Sequence, residues 1–231
     1  MVMEQAEQFV QITVSDLLGR KLNDIETKYA PKKLYIKGPM PIPLGGPRVS
    51  IVGSRDASQR GLDTADSISK TLAENRVIIV SGLADGIDTT AHKAAIALGA
   101  KTIAVLGTPL NKVYPKKNTS LQEQIMQNHL AISQYGIGHR TAPKDFVLRN
   151  RTMALISDAT IIVEAGDSSG SLHQGWEALR LGRPLFIWKS VFDDAKLAWP
   201  KKMIQYGAMR LDNTEDVLEA IPSSLKTMDI F

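Results

Sequence analysis

The sequence predicts an α/β fold built on a mostly parallel sheet. Three observations carry that prediction. From Arg48 onward, short β-branched runs alternate with longer segments of helical periodicity. The short runs are apolar, as strands covered by helices are. At 231 residues and 43% hydrophobic, the chain can bury a full core without disulfides or a structural metal.

Residues 1–47 read differently from the rest. Phe9, Ile12, Leu17, Leu18, Leu22 and Ile25 recur at helical spacing, with Ser15 or Asp16 as a cap, and predict one N-terminal helix. Leu34-Tyr35-Ile36 reads as a short strand. Gly38 to Pro47 holds four prolines and three glycines and reads as an approach loop. The repeated pattern then starts. Val49–Val52 is a strand, and Ala57 to Glu74 a helix. Val77–Val80 is a strand, followed by a helix ending at Leu98. Thr102–Leu106 is a strand, and Ser120 to Asn128 a helix leading to a strand at Leu130–Ile132. Arg149 to Ile156 reads as a helix after a Pro143-Lys144-Asp145 turn, and Thr160–Val163 as a strand. Ser171 to Leu181, Trp199 to Tyr206 and Thr214 to Ile221 read as helices, and Pro184–Ile187 as a strand. The expected division is 1–47 as helix and approach loop, 48–222 as one α/β domain and 223–231 as a tail. Right-handed crossovers place Gly53, Ser81, Gly107 and Glu164 along one rim, where ligands of such sheets bind.

Composition narrows the function classes. Without cysteine there is no disulfide framework, thiol catalysis or Cys-based zinc site. No apolar run approaches the roughly 18 residues of a membrane span. Met1 to Val10 carries Glu4 and Glu7 and no basic cluster, so no signal peptide and a cytoplasmic location are expected. Lys plus Arg is 28 against 24 for Asp plus Glu, which permits an anionic partner without demanding one. A Walker A loop, a G-x-G-x-x-G fingerprint and a G-x-S-x-G elbow are absent, and His92, His129, His139 and His173 lack metal-ligand spacing. No metal or cofactor is expected.

Four segments on the predicted rim carry polar chemistry. Ser54 and Arg55 follow a strand and precede a helix, suiting a phosphate through backbone N–H groups and the guanidinium fork; taken alone, they read more simply as a tight turn with an exposed arginine. Ser81, Gly82 and Gly86 lie in a second small-residue turn that admits an anion closely. Asp88 and His92 share a helix face there, as an acid/base pair or, more simply, a capping Asp and a surface His. Lys144, Phe146, Arg149, Asn150 and Arg151 interleave cations with an aromatic, as a strand-binding surface does, or as a helix start paired to carboxylates does. Ser169, Gly170 and Ser171 open a helix from a donor-rich turn, fit for an anion or for a cap. Small-residue turns without a nucleophile or metal set suggest binding over turnover.

In order and spacing these segments resemble the DprA/Smf DNA-processing proteins, over about residues 33–210. The resemblance runs from Val49 to Arg55 and from Ser81 to Asp88 with Ala91-His92. It continues through Ile103 to Gly107, Tyr114-Pro115, Asn118, Phe146, Arg149-Asn150-Arg151 and Glu164-Ala165, and ends with Ser169 to Leu172 and Gly182-Arg183. It implies an extended Rossmann-like three-layer sandwich that binds single-stranded DNA, acts as a homodimer and loads a RecA-type recombinase in transformation or recombination. It also implies that Arg55 meets a phosphate, with Lys144, Phe146, Arg149 and Arg151 along the strand and Ser169 to Ser171 opposite. The chain departs from the family at Ser133-Gln134, at His173-Gln174-Gly175 and at Trp188-Lys189, and has no room for full-size flanking domains. Two alternatives remain: a nucleotide-sensing domain, and a phosphoribohydrolase of the related LOG type. The second needs a glutamate where Gln174 stands.

Overall fold

The computed structural model describes residues 9–222. Its elements are β1 (Val10–Ile12), α1 (Val14–Leu18), α2 (Asp24–Tyr29), β2 (Leu34–Lys37), β3 (Arg48–Val52), α3 (Gln59–Glu74), β4 (Ile78–Ser81), α4 (Ile87–Ala97) and β5 (Thr102–Leu106). A 3-10 turn (Lys116–Asn118), α5 (Thr119–Asn128), β6 (Leu130–Ser133), α6 (Pro143–Ile156), β7 (Ala159–Ile162) and α7 (Ser171–Arg180) follow. β8 (Leu185–Trp188), α8 (Lys189–Phe192), α9 (Trp199–Ile204), β9 (Met209–Leu211) and α10 (Glu215–Ala220) complete the chain as far as described. The strands form one sheet in the order β1-β2-β6-β5-β4-β3-β7-β8-β9. β3 to β9 pair in parallel, and only β1 and β2 run against their neighbours.

The sheet is covered on both faces, which is why its strands are apolar without alternation. Val49 and Ile51 meet Ala65, Ile68 and Leu72 of α3 and Ile87 and Ala91 of α4. Val52, Val80 and Ile162 turn the other way, onto Met153 and Ala154 of α6 and Ala178 of α7. Each fully buried leucine or isoleucine contributes about 1.5–3 kcal/mol over an exposed one. The three-layer arrangement expected from the sequence is the one observed.

The N-terminal segment departs from the expected single helix. Thr13 caps α1, accepting from Asp16 N at 3.1 Å, while the Asp16 carboxylate accepts Thr13 N at 2.9 Å. Gly19, at φ +65°, ends that helix, and an Asn23/Glu26 capping box starts α2. Two caps and a left-handed stop therefore divide what apolar spacing alone reads as continuous. Val14 and Leu17 share one core with Leu34, Met40, Leu44 and the α6 residues, so the boundary expected at residue 47 is no break in the core. The tail expected at 223–231 lies outside the described residues.

His92 also departs from expectation: it is fully buried on α4 instead of on its surface. Thr102 Oγ1 donates to Ile79 O at 2.9 Å, so it accepts from His92 Nδ1, 2.7 Å away. Burial, followed by the charges of His129 and Arg149, lowers its pKa from the usual 6.5 to about 3. The folded chain therefore refuses a proton that the unfolded chain takes up below pH 6.5. Stability falls as pH drops through that window, by about 1.4 kcal/mol per unit for this group. Urea unfolding across the window should show a shallower pH slope for His92→Gln than for the unaltered chain.

From β3 the chain steps outward through β4, β5 and β6, then returns to β7 on the other side of β3. The crevice at the carboxyl ends of β3 and β7 is thus the switch point of the sheet, where open α/β sheets bind ligands.

Candidate functional site

A cleft of about 880 Å³ opens at this switch point. Its walls are the loops after β3 (Gly53, Ser54, Arg55, Asp56), β5 (Thr108, Lys112, Val113, Tyr114), β6 (Thr141, Ala142) and β7 (Gly166, Ser168, Ser169, Gly170), together with one side of α6. All come from the carboxyl ends of strands, as the rim predicted.

Where α6 starts decides which of its residues face the cleft. It starts at Pro143, six residues before the expected Arg149, because proline suits the first helical position. Asp145 completes the first turn by accepting Ala142 N at 2.8 Å and His139 Nε2 at 2.7 Å. At 3.6 residues per turn, Phe146, Arg149, Asn150 and Met153 then fall on one side, and these line the cleft. Lys144, Leu148 and Arg151 fall on the other. Lys144 is exposed and follows the cleft-lining Pro143, and Arg151 lies outside the cleft, with Glu177 Oε1 3.3 Å away and the Tyr29 ring beneath it.

Arg149 lines the cleft, but its donors are committed to the protein. It is 5% exposed, and its Nη1 donates to Val105 O at 2.6 Å and to Gly82 O. Its Nε donates to Asn150 Oδ1 at 2.9 Å, and Asn150 Nδ2 in turn holds Gly170 O at 3.0 Å. The pair thus ties α6 to the ends of β4 and β5 and to the serine turn. The loop after β4 is likewise committed inward. Asp88 accepts Gly82 N at 3.1 Å and Ala84 N at 3.4 Å, so the carboxylate fills the anion position that a ligand phosphate would take. Burial raises the Asp88 pKa against the pull of the Arg149 charge and those N–H groups. Ser81 is buried and donates to Ile51 O at 2.6 Å. Gly86, at φ +70°, lets the loop pass against the Ser54 and Arg55 carbonyls. Ser81 and Gly86 thus serve the scaffold, while Gly82, with Ala84 and Asp85, lines a small pocket beside Arg55, Tyr114 and Phe146.

The Ser54–Arg55 segment also differs in detail. The start of α3 is closed by Glu164, whose carboxylate accepts Ser58 N at 2.8 Å and Ser58 Oγ at 2.5 Å. The α3 N-terminus is satisfied from within, so an anion here depends on side chains. Arg55 supplies one: it is exposed and pairs with no carboxylate among the described residues. Its guanidinium lies 5.8 Å from the Phe146 ring centre. Phe146 rests on Gly107, where a Cβ would come within 2.5 Å of its ring, and Tyr114 tilts against it at 5.2 Å. Tyr114 is 52% exposed. It and Lys112 went unseen as site residues in the sequence, although Tyr114-Pro115 marked the segment. On the facing wall, Ser169 and Ser171 hydroxyls lie 2.7 Å apart at the start of α7, where Ser171 N donates to Ser169 Oγ at 3.4 Å and the N-cap residue, Gly170, supplies no side chain. The positive end of a ten-residue helix points there. Gln174, one turn on, is fully buried between α7 and β7, with Thr160 Oγ1 at 3.4 Å, and does not reach the cleft.

The arrangement offers two exposed cations, Arg55 and Lys112, two neighbouring aromatic rings and a hydroxyl-rich wall. Residues 12–222 match the family model of DNA recombination-mediator protein A. The chain belongs to that family. It is 41% identical over 189 residues to the DNA processing protein DprA of Streptococcus pneumoniae, covering 82% of this chain and 66% of that protein. It is 31% identical over 192 residues to DprA of Bacillus subtilis, covering 83% and 65%. The chain thus spans slightly under two thirds of these curated relatives. The X-ray structure of the Streptococcus pneumoniae DprA superposes with a TM-score of 0.77 at 35% identity, over 94% of this chain and 75% of that one. The Helicobacter pylori DNA processing protein A, described for its single-stranded DNA binding mode, superposes with a TM-score of 0.74 at 27% identity, over 92% and 94%. The molybdenum cofactor binding protein of Rippkaea orientalis, with a TM-score of 0.55 at 17% identity, shares the fold alone. As a recombination-mediator family member the chain keeps the Rossmann-like frame expected of it.

Proposed function

We propose that the cleft binds single-stranded DNA with little sequence preference, and that the chain acts in the cytoplasm as a homodimer that loads a RecA-type recombinase onto the strand. The observation that carries this is the Arg55–Phe146–Tyr114 cluster at the switch point. A guanidinium fork takes a phosphate, and adjacent rings stack bases whatever their sequence. No element of the cleft is shaped to enter a duplex groove: its walls are loops and the buried side of one helix. The reading draws support from the Helicobacter pylori relative's described single-stranded DNA binding mode.

The same geometry favours a scaffold over an enzyme. Asp88 holds backbone N–H groups, Glu164 caps α3, and Gln174 sits in the core. Asp88 borders the cleft with its carboxylate committed to those N–H groups, and Gln174 does not line it.

Arg55→Ala tests the site. It should weaken binding of every oligonucleotide and lower the log–log salt slope by roughly 0.7, one single-strand phosphate contact. Melting temperature should hold, because the side chain is exposed. Wild-type affinity and slope in this variant would put the strand elsewhere.

A further inference from the structure

We propose that α2, the outer side of α6 and the end of α7 form a second phosphodiester-binding patch, which takes the single strand as it leaves the cleft. This rests on the reading of the cleft given above.

The patch centres on Tyr29. The Arg151 guanidinium lies 4.9 Å from its ring centre, that of Arg180 5.2 Å, and Lys28 Nζ 5.6 Å. One turn earlier on α2, the buried Glu26 accepts both arms of Arg20, at 2.6 and 2.7 Å, and Arg183 at 2.7 Å. Glu177 accepts Arg180 at 2.8 Å and Arg151 at 3.3 Å. Four guanidinium groups therefore meet two carboxylates, and Lys28 adds a fifth cation over the Tyr29 ring. Neutralising two buried carboxylates needs fewer, so the surplus is unexplained by the core. Arg151 Nε and Arg183 Nε are buried without a hydrogen-bond partner, and Arg20 and Arg180 each keep 43% of their side chains exposed.

Guanidinium forks match phosphate oxygens, and a tyrosine ring beneath them fixes their planes. Continuity with the cleft selects a strand over an acidic protein surface. Lys144 and Arg151 share the outer side of α6, two turns and about 10.5 Å apart along the axis. Lys144 is exposed and directly follows Pro143, which lines the cleft, so Lys144 and Arg151 lead from beside the cleft to Tyr29 without a carboxylate between them on that side of the helix. A single strand, with a charge on every nucleotide, can follow such a track.

The test is a double reversal of two exposed cations outside the cleft, Lys28→Glu with Arg180→Glu, in the full chain. A labelled strand of roughly six nucleotides should fit the cleft alone, and one of roughly 30 should also cross the patch. The variant should bind the short strand as wild type does. It should bind the long strand at least tenfold more weakly, with a salt slope lower by about 1.4, two contacts' worth. Wild-type affinity and slope for the long strand overturn the patch, as does equal loss for both lengths. Arg55→Ala measured alongside separates the two readings: it should weaken both lengths, and if it weakens neither, the cleft reading fails and the patch with it. Should the reversal variant lose its fold, Lys28→Gln with Arg180→Gln repeats the comparison with half the charge change, and unchanged long-strand binding again overturns the proposal.

Discussion

Arg149→Leu should destabilise the chain by about 3–5 kcal/mol, a large part of the roughly 5–15 kcal/mol that holds a domain folded. The loss has three sources. The Gly82 and Val105 carbonyls lose their buried donor. Asn150 loses the partner that orients it toward Gly170. Asp88 keeps a buried carboxyl with its countercharge gone, which drives its pKa higher still. Pairing the change with Asp88→Asn should recover part of the loss, because the stranded charge is removed with its partner. Urea unfolding of both variants checks the prediction. A single variant that unfolds like wild type while losing DNA would instead make Arg149 a direct contact.

Phe146→Ala should weaken single-strand binding by about 1–3 kcal/mol, roughly five- to 150-fold, with the salt slope nearly unchanged. Stacking is a contact of ring with base, so no phosphate contact is lost. The ring also rests on Gly107, so some thermal stability goes with it. Tyr114→Ala resolves the overlap. Its ring is more than half exposed, so its removal should leave the melting temperature in place and still weaken binding. Affinity and melting temperature measured on the same preparations distinguish stacking from packing: a Tyr114 variant that binds as wild type would confine stacking to Phe146.

The parallel sheet and the location of the cleft were legible because both follow from local sequence. Apolar runs such as Val49–Val52 mark strands buried on two faces, and small polar turns after them mark the carboxyl rim. The direction of side chains was less legible. Arg149 and Arg151 look equivalent in the sequence, but they diverge by about 200° around a helix. The packing of Met153 and Ala154 of α6 onto the sheet decides which one enters the cleft. Partners distant in sequence were not legible at all. Glu164 closes α3 across 106 residues, and Thr102 from the neighbouring strand claims His92. Such contacts turn residues that look like ligands for a phosphate or a proton into parts of the scaffold. Tyr114 could have been found by the same rule that found Phe146, an aromatic beside cations on the rim, had Lys112 and Lys116 been weighed with it.

This cleft is expected to take a single strand through phosphate contact and base stacking. Fluorescence anisotropy of one labelled oligonucleotide, free or annealed to its complement, tests it most directly, with mononucleotides as competitors and salt varied. The single strand should bind tightly, the duplex more weakly at moderate salt, and mononucleotides should displace little of it. Equal affinity for both forms, or full displacement by a mononucleotide at a concentration near that of the strand, would contradict it.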